Sequence, residues 1–270
     1  MNIDINKADA NRVGVLFGDL LIGSKVKTLH QAGKHDQKSH GRRGFLSSGS
    51  IKWRAHKNLD FKSINKQLYQ KFGIRSVGLT ESYFGEDQKA LADINLLGTS
   101  LAEIYTSNPK LEVFMKTSPP LKNIFLVNKE LIDEPTRNRS GILGTYSSDT
   151  RSINIASRLN HGATIFPKIG VGSYSVGNDF RSVLRHELGH YVHYTLSPSD
   201  RFKWSNLVAM EGGLGYANIK SKISTYAGIN HKEAFAEMFC AYTSPLYRGG
   251  KRLPREYESF MIPIIGEKKQ

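Results

Sequence analysis

NDFRSVLRHELGHYVHYTL, residues 178–196, is the stretch on which the reading of this 270-residue chain turns. Phe180, Val183, Leu184, Leu188 and Val192 recur at helical spacing and form one apolar stripe. Asn178 or Asp179 suits the N-cap, and Pro198 ends the helix. Inside it lies His186-Glu187-Leu188-Gly189-His190, an H-E-x-x-H pattern. Residues four apart on an α-helix are rotated by about 40° net and rise by about 6 Å, so two imidazoles can meet at one Zn²⁺ with bonds of about 2.0–2.1 Å. Glu187 cannot join them as a ligand, but it can reach a water held by the metal and act as general base. Gly189 in mid-helix costs about 1 kcal/mol relative to Ala, which predicts the close approach of another element there.

A catalytic zinc site needs a third protein ligand. His193 shares the helix face but sits about 10 Å along the axis from His186, too far to join both histidines on one ion. It reads as a helix-face residue or as support behind the site. His161 and His231 have no supporting spacing, and Glu211 lies in a Gly-rich loop. Better candidates are Glu233 and Glu237 of HKEAFAEMFCAYT, 231–243, which share one helix face, so that one can ligate while the other holds a ligating histidine from behind. For Glu233 a capping box with Asn230 is the competing reading.

Working outward, FKSINKQLYQKFG and EDQKALADINLLGTSLAEIYTS read as helices joined by a turn between residues 60 and about 105. KNIFLVN, 122–128, reads as a buried strand, and GILGTYSSDTRSINIAS, 141–157, as a β-hairpin around SSDT. A Gly-rich irregular segment covers 162–178, and a further helix 199–210. This is an α+β pattern with a small sheet. We divide the chain into a basic, flexible arm and linker at 1–58, a domain at 59–245, and a basic tail with a short helix at 246–270.

The formal net charge is +14, and most of the excess sits at the two ends. Residues 1–60 hold eleven Lys or Arg against five Asp or Glu, with four of the nine histidines. Such ends fit nonspecific contact with nucleic acid or acidic surfaces, although neither a nucleic-acid-binding motif nor interleaved aromatics accompanies them. With Cys240 the only cysteine, an intrachain disulfide or a multi-cysteine metal site is excluded, so a zinc site must use His and carboxylate. No apolar stretch approaches the roughly 20 residues of a membrane span, and MNIDINKADANR lacks the basic start of a Sec signal, which predicts a cytoplasmic or virion-associated protein.

HELGHYVH at 186–193, followed by ISTYAGINHKEAFAEMF at 223–239, resembles the catalytic domain of the anthrax lethal factor type, gluzincin metallopeptidases that include Pro-Pro endopeptidases. That family pairs an HExGH helix with a Ser-x-Tyr or Ser-Tyr turn and a helix bearing E-x-F-A-E. The resemblance implies a zincin-like fold with a small mixed sheet, and a zinc endopeptidase acting on protein or peptide. It makes His186, His190 and Glu233 the zinc ligands, Glu237 the acid behind them, Glu187 the base, and Tyr226, seven residues before Glu233, the donor to the oxyanion. It also implies an edge strand lining the cleft, for which RSINIAS is the candidate. His193 stands where relatives often carry an acid. GKHDQKSHGRRG, 33–44, resembles basic stretches of phage minor head proteins, implying a phage-infected host or a virion. The alternative function is a phage-associated structural or nucleic-acid-contacting protein whose zincin-like domain is vestigial.

Overall fold

The computed structural model describes residues 51–128, 143–157, 167–210, 216–249 and 253–268. The charged stretch within 1–50, His161 and Glu211 lie outside them.

Asp60 starts helix α1 (Phe61–Phe72) by accepting the N–H groups of Lys62 and Ser63, and Gly73 ends it, as its sequence predicts. Strand β1 (Ser76–Leu79) follows, then α2 (Asp87–Ser107) and α3 (Pro109–Thr117), which lead to β2 (Asn123–Val127). The predicted hairpin is present as β3 (Gly144–Ser147) and β4 (Ser152–Ala156). The sheet order is β1-β2-β4-β3, with the first three of these parallel and β3 antiparallel on the edge. RSINIAS is therefore not the edge strand: β4 has neighbours on both sides, which suits its buried isoleucines Ile153 and Ile155, and β3 takes the edge.

The remaining helices are α4 (Phe180–Thr195), α5 (Pro198–Met210), α6 (Tyr216–Lys222), α7 (His231–Thr243) and α8 (Arg255–Ile265), with a 3-10 turn at Tyr226–Gly228. The architecture is thus α+β, with a small four-stranded mixed sheet and eight α-helices among the described residues. Helix α4 packs against β3 and β4 on one side and against α7 on the other. All five residues of its apolar stripe are buried.

The core extends beyond 59–245 at both ends. Ile51 and Trp53 pack against it, and Trp53 Nε1–H donates to Asn95 Oδ1 at 3.1 Å. At the other end Trp204 is fully buried among Phe235, Tyr257 and Phe260, an aromatic cluster that joins α5, α7 and α8. No helix among the described residues is long and apolar enough to cross a membrane.

Candidate metal centre

The site is made where α4 crosses α7, and Gly189 lets the two helices meet. A Cβ at Gly189 would lie 2.9 Å from Ala236 Cα and 3.1 Å from Phe239 Cβ, closer than packed carbons tolerate. This is the close approach that a glycine in mid-helix predicted. With the backbones so near, the polar side chains of the two helices reach one point.

Asp179 caps α4 by accepting Ser182 N–H. About two turns further on, His186 Nε2 and His190 Nε2 lie 3.1 Å apart, and each lies 3.2 Å from Glu233 Oε2. These three are the one group of His, Cys, Asp or Glu side chains among the described residues that could hold a metal ion. The capping-box alternative for Glu233 is not realised in the form read. Asn230 caps α7 with its own Oδ1, accepting the N–H groups of Lys232 and Glu233, while the Glu233 carboxylate faces the histidines.

Glu237, one turn deeper, accepts His186 Nδ1–H on Oε1 at 2.8 Å. That bond leaves His186 Nε2 as the atom facing the cluster. Burial by itself would lower the His186 pKa, but the hydrogen bonds to Glu233 and Glu237 and the neighbouring carboxylate charges hold it well above the usual value. Burial also works to raise Glu233, and the two histidines outweigh it and hold its carboxyl below the usual range. The cluster thus has to share positive charge. A proton on His186 Nε2 satisfies its contact with Glu233, whereas a metal ion would satisfy all three donors. Tetrahedral zinc ligands at about 2.0–2.1 Å stand roughly 3.3–3.4 Å from one another. The observed spacings of 3.1 and 3.2 Å are close to that separation, so the three residues could hold a metal ion.

Glu187 is buried beside the pair, and its Oε2 has no hydrogen-bond partner among the described residues. Burial raises its pKa, against the opposing pull of His186 and His190. Across from it is the edge strand: a Cβ at Gly144 would stand 2.6 Å from Glu187 Oε1 and 2.7 Å from Val183 Cγ1, so β3 runs as close to this acid as backbone can. Tyr226 closes the other side, its ring 5.6 Å from the His186 ring and 5.9 Å from that of exposed Tyr174. Burial, reinforced by Glu233, Glu187 and Glu237, keeps its phenol protonated, and its hydroxyl makes no hydrogen bond among the described residues.

His193 and His231 are elsewhere. Their rings pair at 5.6 Å, with Phe235 5.1 Å from His193, and neither belongs to the His186, His190 and Glu233 group. The Nε2 of His193 is buried without a hydrogen-bond partner among the described residues, and burial, with His231 and His190 next in effect, lowers its pKa to about 3. Cys240, on the side of α7 that meets α4, is buried and its thiol donates to Ser182 O at 3.2 Å. The resemblance marked Ser224 as part of a Ser-x-Tyr turn without giving it a role, and Val176 was passed over; both bond Glu237. The ST of ISTYAGI was a visible signal for a turn-forming hydroxyl, whereas a backbone N–H leaves no mark on a sequence. No protein-family model matches this chain, and no curated protein matches it significantly.

Proposed function

We propose that this chain is a zinc-dependent endopeptidase of the gluzincin type on a zincin-like fold. The observation that carries the reading is the convergence of His186, His190 and Glu233 donor atoms within 3.2 Å beside a buried carboxylate oxygen of Glu187 that has no partner among the described residues. Those three residues would hold the zinc, which when bound supplies a Lewis acid for a carbonyl oxygen and for water.

The rest is done by the chain's own groups. Glu187, kept from solvent and raised in pKa, is suited to take a proton from water and return it to a leaving amine. The Tyr226 O–H, without a hydrogen bond among the described residues, is suited to donate to an oxygen that gains negative charge. Glu237 fixes the ring of His186 through Nδ1. The edge strand β3 pairs only with β4 among the described strands and passes Glu187 at Gly144, so an extended peptide that added to it would run by the base. That backbone recognition supports a peptide as the substrate.

Metal analysis of the purified chain with proteolysis of a peptide library tests the reading. One zinc per chain, lost in Glu233→Ala and retained in a Glu187→Ala variant that no longer cleaves, is the expected result. A wild type that holds no metal after dialysis from zinc buffer would overturn it.

A further inference from the structure

Glu237 does more than face His186. Its Oε1 accepts the histidine Nδ1–H, while Oε2 accepts two other donors at 2.7 Å each, the backbone N–H of Val176 and the hydroxyl of Ser224. Ser224 is fully buried, and its Oγ in turn accepts Ala227 N–H at 3.1 Å from within the 3-10 turn that carries Tyr226. The same turn is tied to the Gly-rich segment by backbone bonds. Thr225 N–H donates to Ser173 O and Tyr226 N–H to Tyr174 O, both at 2.8 Å, and Gly170 N–H donates to Ile223 O at 2.9 Å.

Two pieces of chain without regular structure of their own therefore hang on one carboxylate oxygen, and the other oxygen of that carboxylate holds a histidine of the metal cluster. The Ser224 hydroxyl spends its single proton on Glu237 and its lone pair on the Tyr226 turn, so it has a direction: carboxylate to hydroxyl to turn. We infer that Ser224 is a positioning residue for Tyr226, locking the phenol in register with the His186 ring through Glu237. This deepens the peptidase reading and rests on it. Removing the hydroxyl leaves Ala227 N–H and half of Glu237 Oε2 unsatisfied at the very point that aims Tyr226, while His186, His190 and Glu233 keep their own contacts.

The test compares the full-length wild type, Ser224→Ala, Tyr226→Phe and the double variant for zinc content, peptide cleavage and amide hydrogen exchange of segment 168–176. Ser224→Ala is expected to hold one zinc, to keep KM within about twofold, and to lose about tenfold to a hundredfold in kcat, the scale of a misplaced catalytic group. Added to Tyr226→Phe it should cost no more than about twofold again, since the group it positions is already gone. Its segment 168–176 should exchange faster than that of the wild type. Full additivity with Tyr226→Phe, or loss of the zinc, would show a merely structural role and overturn the inference.

If Ser224→Ala does not fold, wild-type exchange decides. Loading zinc should slow exchange in 168–176 by at least about threefold, because ordering His186 orders Glu237 and what hangs on it; unchanged exchange overturns the link. A wild type that binds zinc and cleaves nothing sinks the peptidase reading alone, and the exchange comparison still reads out the Ser224 connection.

Discussion

Helices α4 and α7 meet the site with the same spacing and supply it differently. Each presents two polar side chains four residues apart, His186 and His190 on one and Glu233 and Glu237 on the other. On α4 both rings reach the same point. On α7 only Glu233 does, with its side chain 18% exposed, while Glu237 lies deeper at 2%, behind His186. Spacing assigns residues to a helix face. Depth along that face depends on where the partner helix crosses, and here the crossing is set by Gly189 against Ala236.

Exchanging the charge of each acid in turn should break this comparison most sharply. On the proposed zinc-peptidase reading, Glu233→Gln is expected to bind no zinc and to cleave nothing, whereas Glu237→Gln should still take up the ion, about 10- to 100-fold more weakly. Competition with a chelator of known affinity measures both. Equal losses would mean that the two acids do one job.

The third imidazole of α4 sharpens the contrast, because it has no ionic partner among the described residues. His193 has a folded pKa of about 3 against an ordinary value of 6.5. Proton uptake therefore favours the unfolded chain. The group has no effect on stability above the ordinary value, and it costs stability as pH falls below it, about 2 kcal/mol by pH 5. In the metal-free protein, replacing it by Phe should make stability less sensitive to acid, so the urea midpoints of His193→Phe and wild type should draw apart in the variant's favour between pH 7 and 5. A difference that stays constant with pH would show that the ring is solvated.

The smallest effect expected is at the crossing itself. Gly189→Ala overpacks the contact at a cost of about 1–3 kcal/mol, of which the better helix propensity of alanine returns up to about 1. A net loss of about 1 kcal/mol in urea, with weakened zinc binding as the helices move apart, is the outcome to look for. A stabilised variant would mean that α4 and α7 have room for a methyl group at the crossing.

These residues also show what could be seen in advance. The α4 helix, its cap, its buried stripe and the histidine pair were legible because helical periodicity and ligand spacing are both local. The hairpin was legible from SSDT between alternating runs. Strand β1 was hidden: SVGL, 76–79, is too short and too apolar throughout to show a period, and it was absorbed into the turn between two helices. Helix α3 begins at Asn108-Pro109, a start signal passed over because no long stripe follows it. The edge position went to β4 instead of β3, since strand order depends on pairings that single-strand patterns do not encode. In the site, the choice between ligand and cap at Glu233 and the roles of Val176 and Ser224 all depend on contacts between distant segments.

One further consequence comes from Cys240. It is the chain's single thiol, pushed up to about 11 by burial, and it bridges the two helices by donating to Ser182 O. A thiol that stays neutral and covered is inert to alkylating reagents. Its modification rate in an otherwise cysteine-free chain would therefore count the openings of α4 from α7, so the molecule carries its own clock for how long the two halves of the cluster stay together.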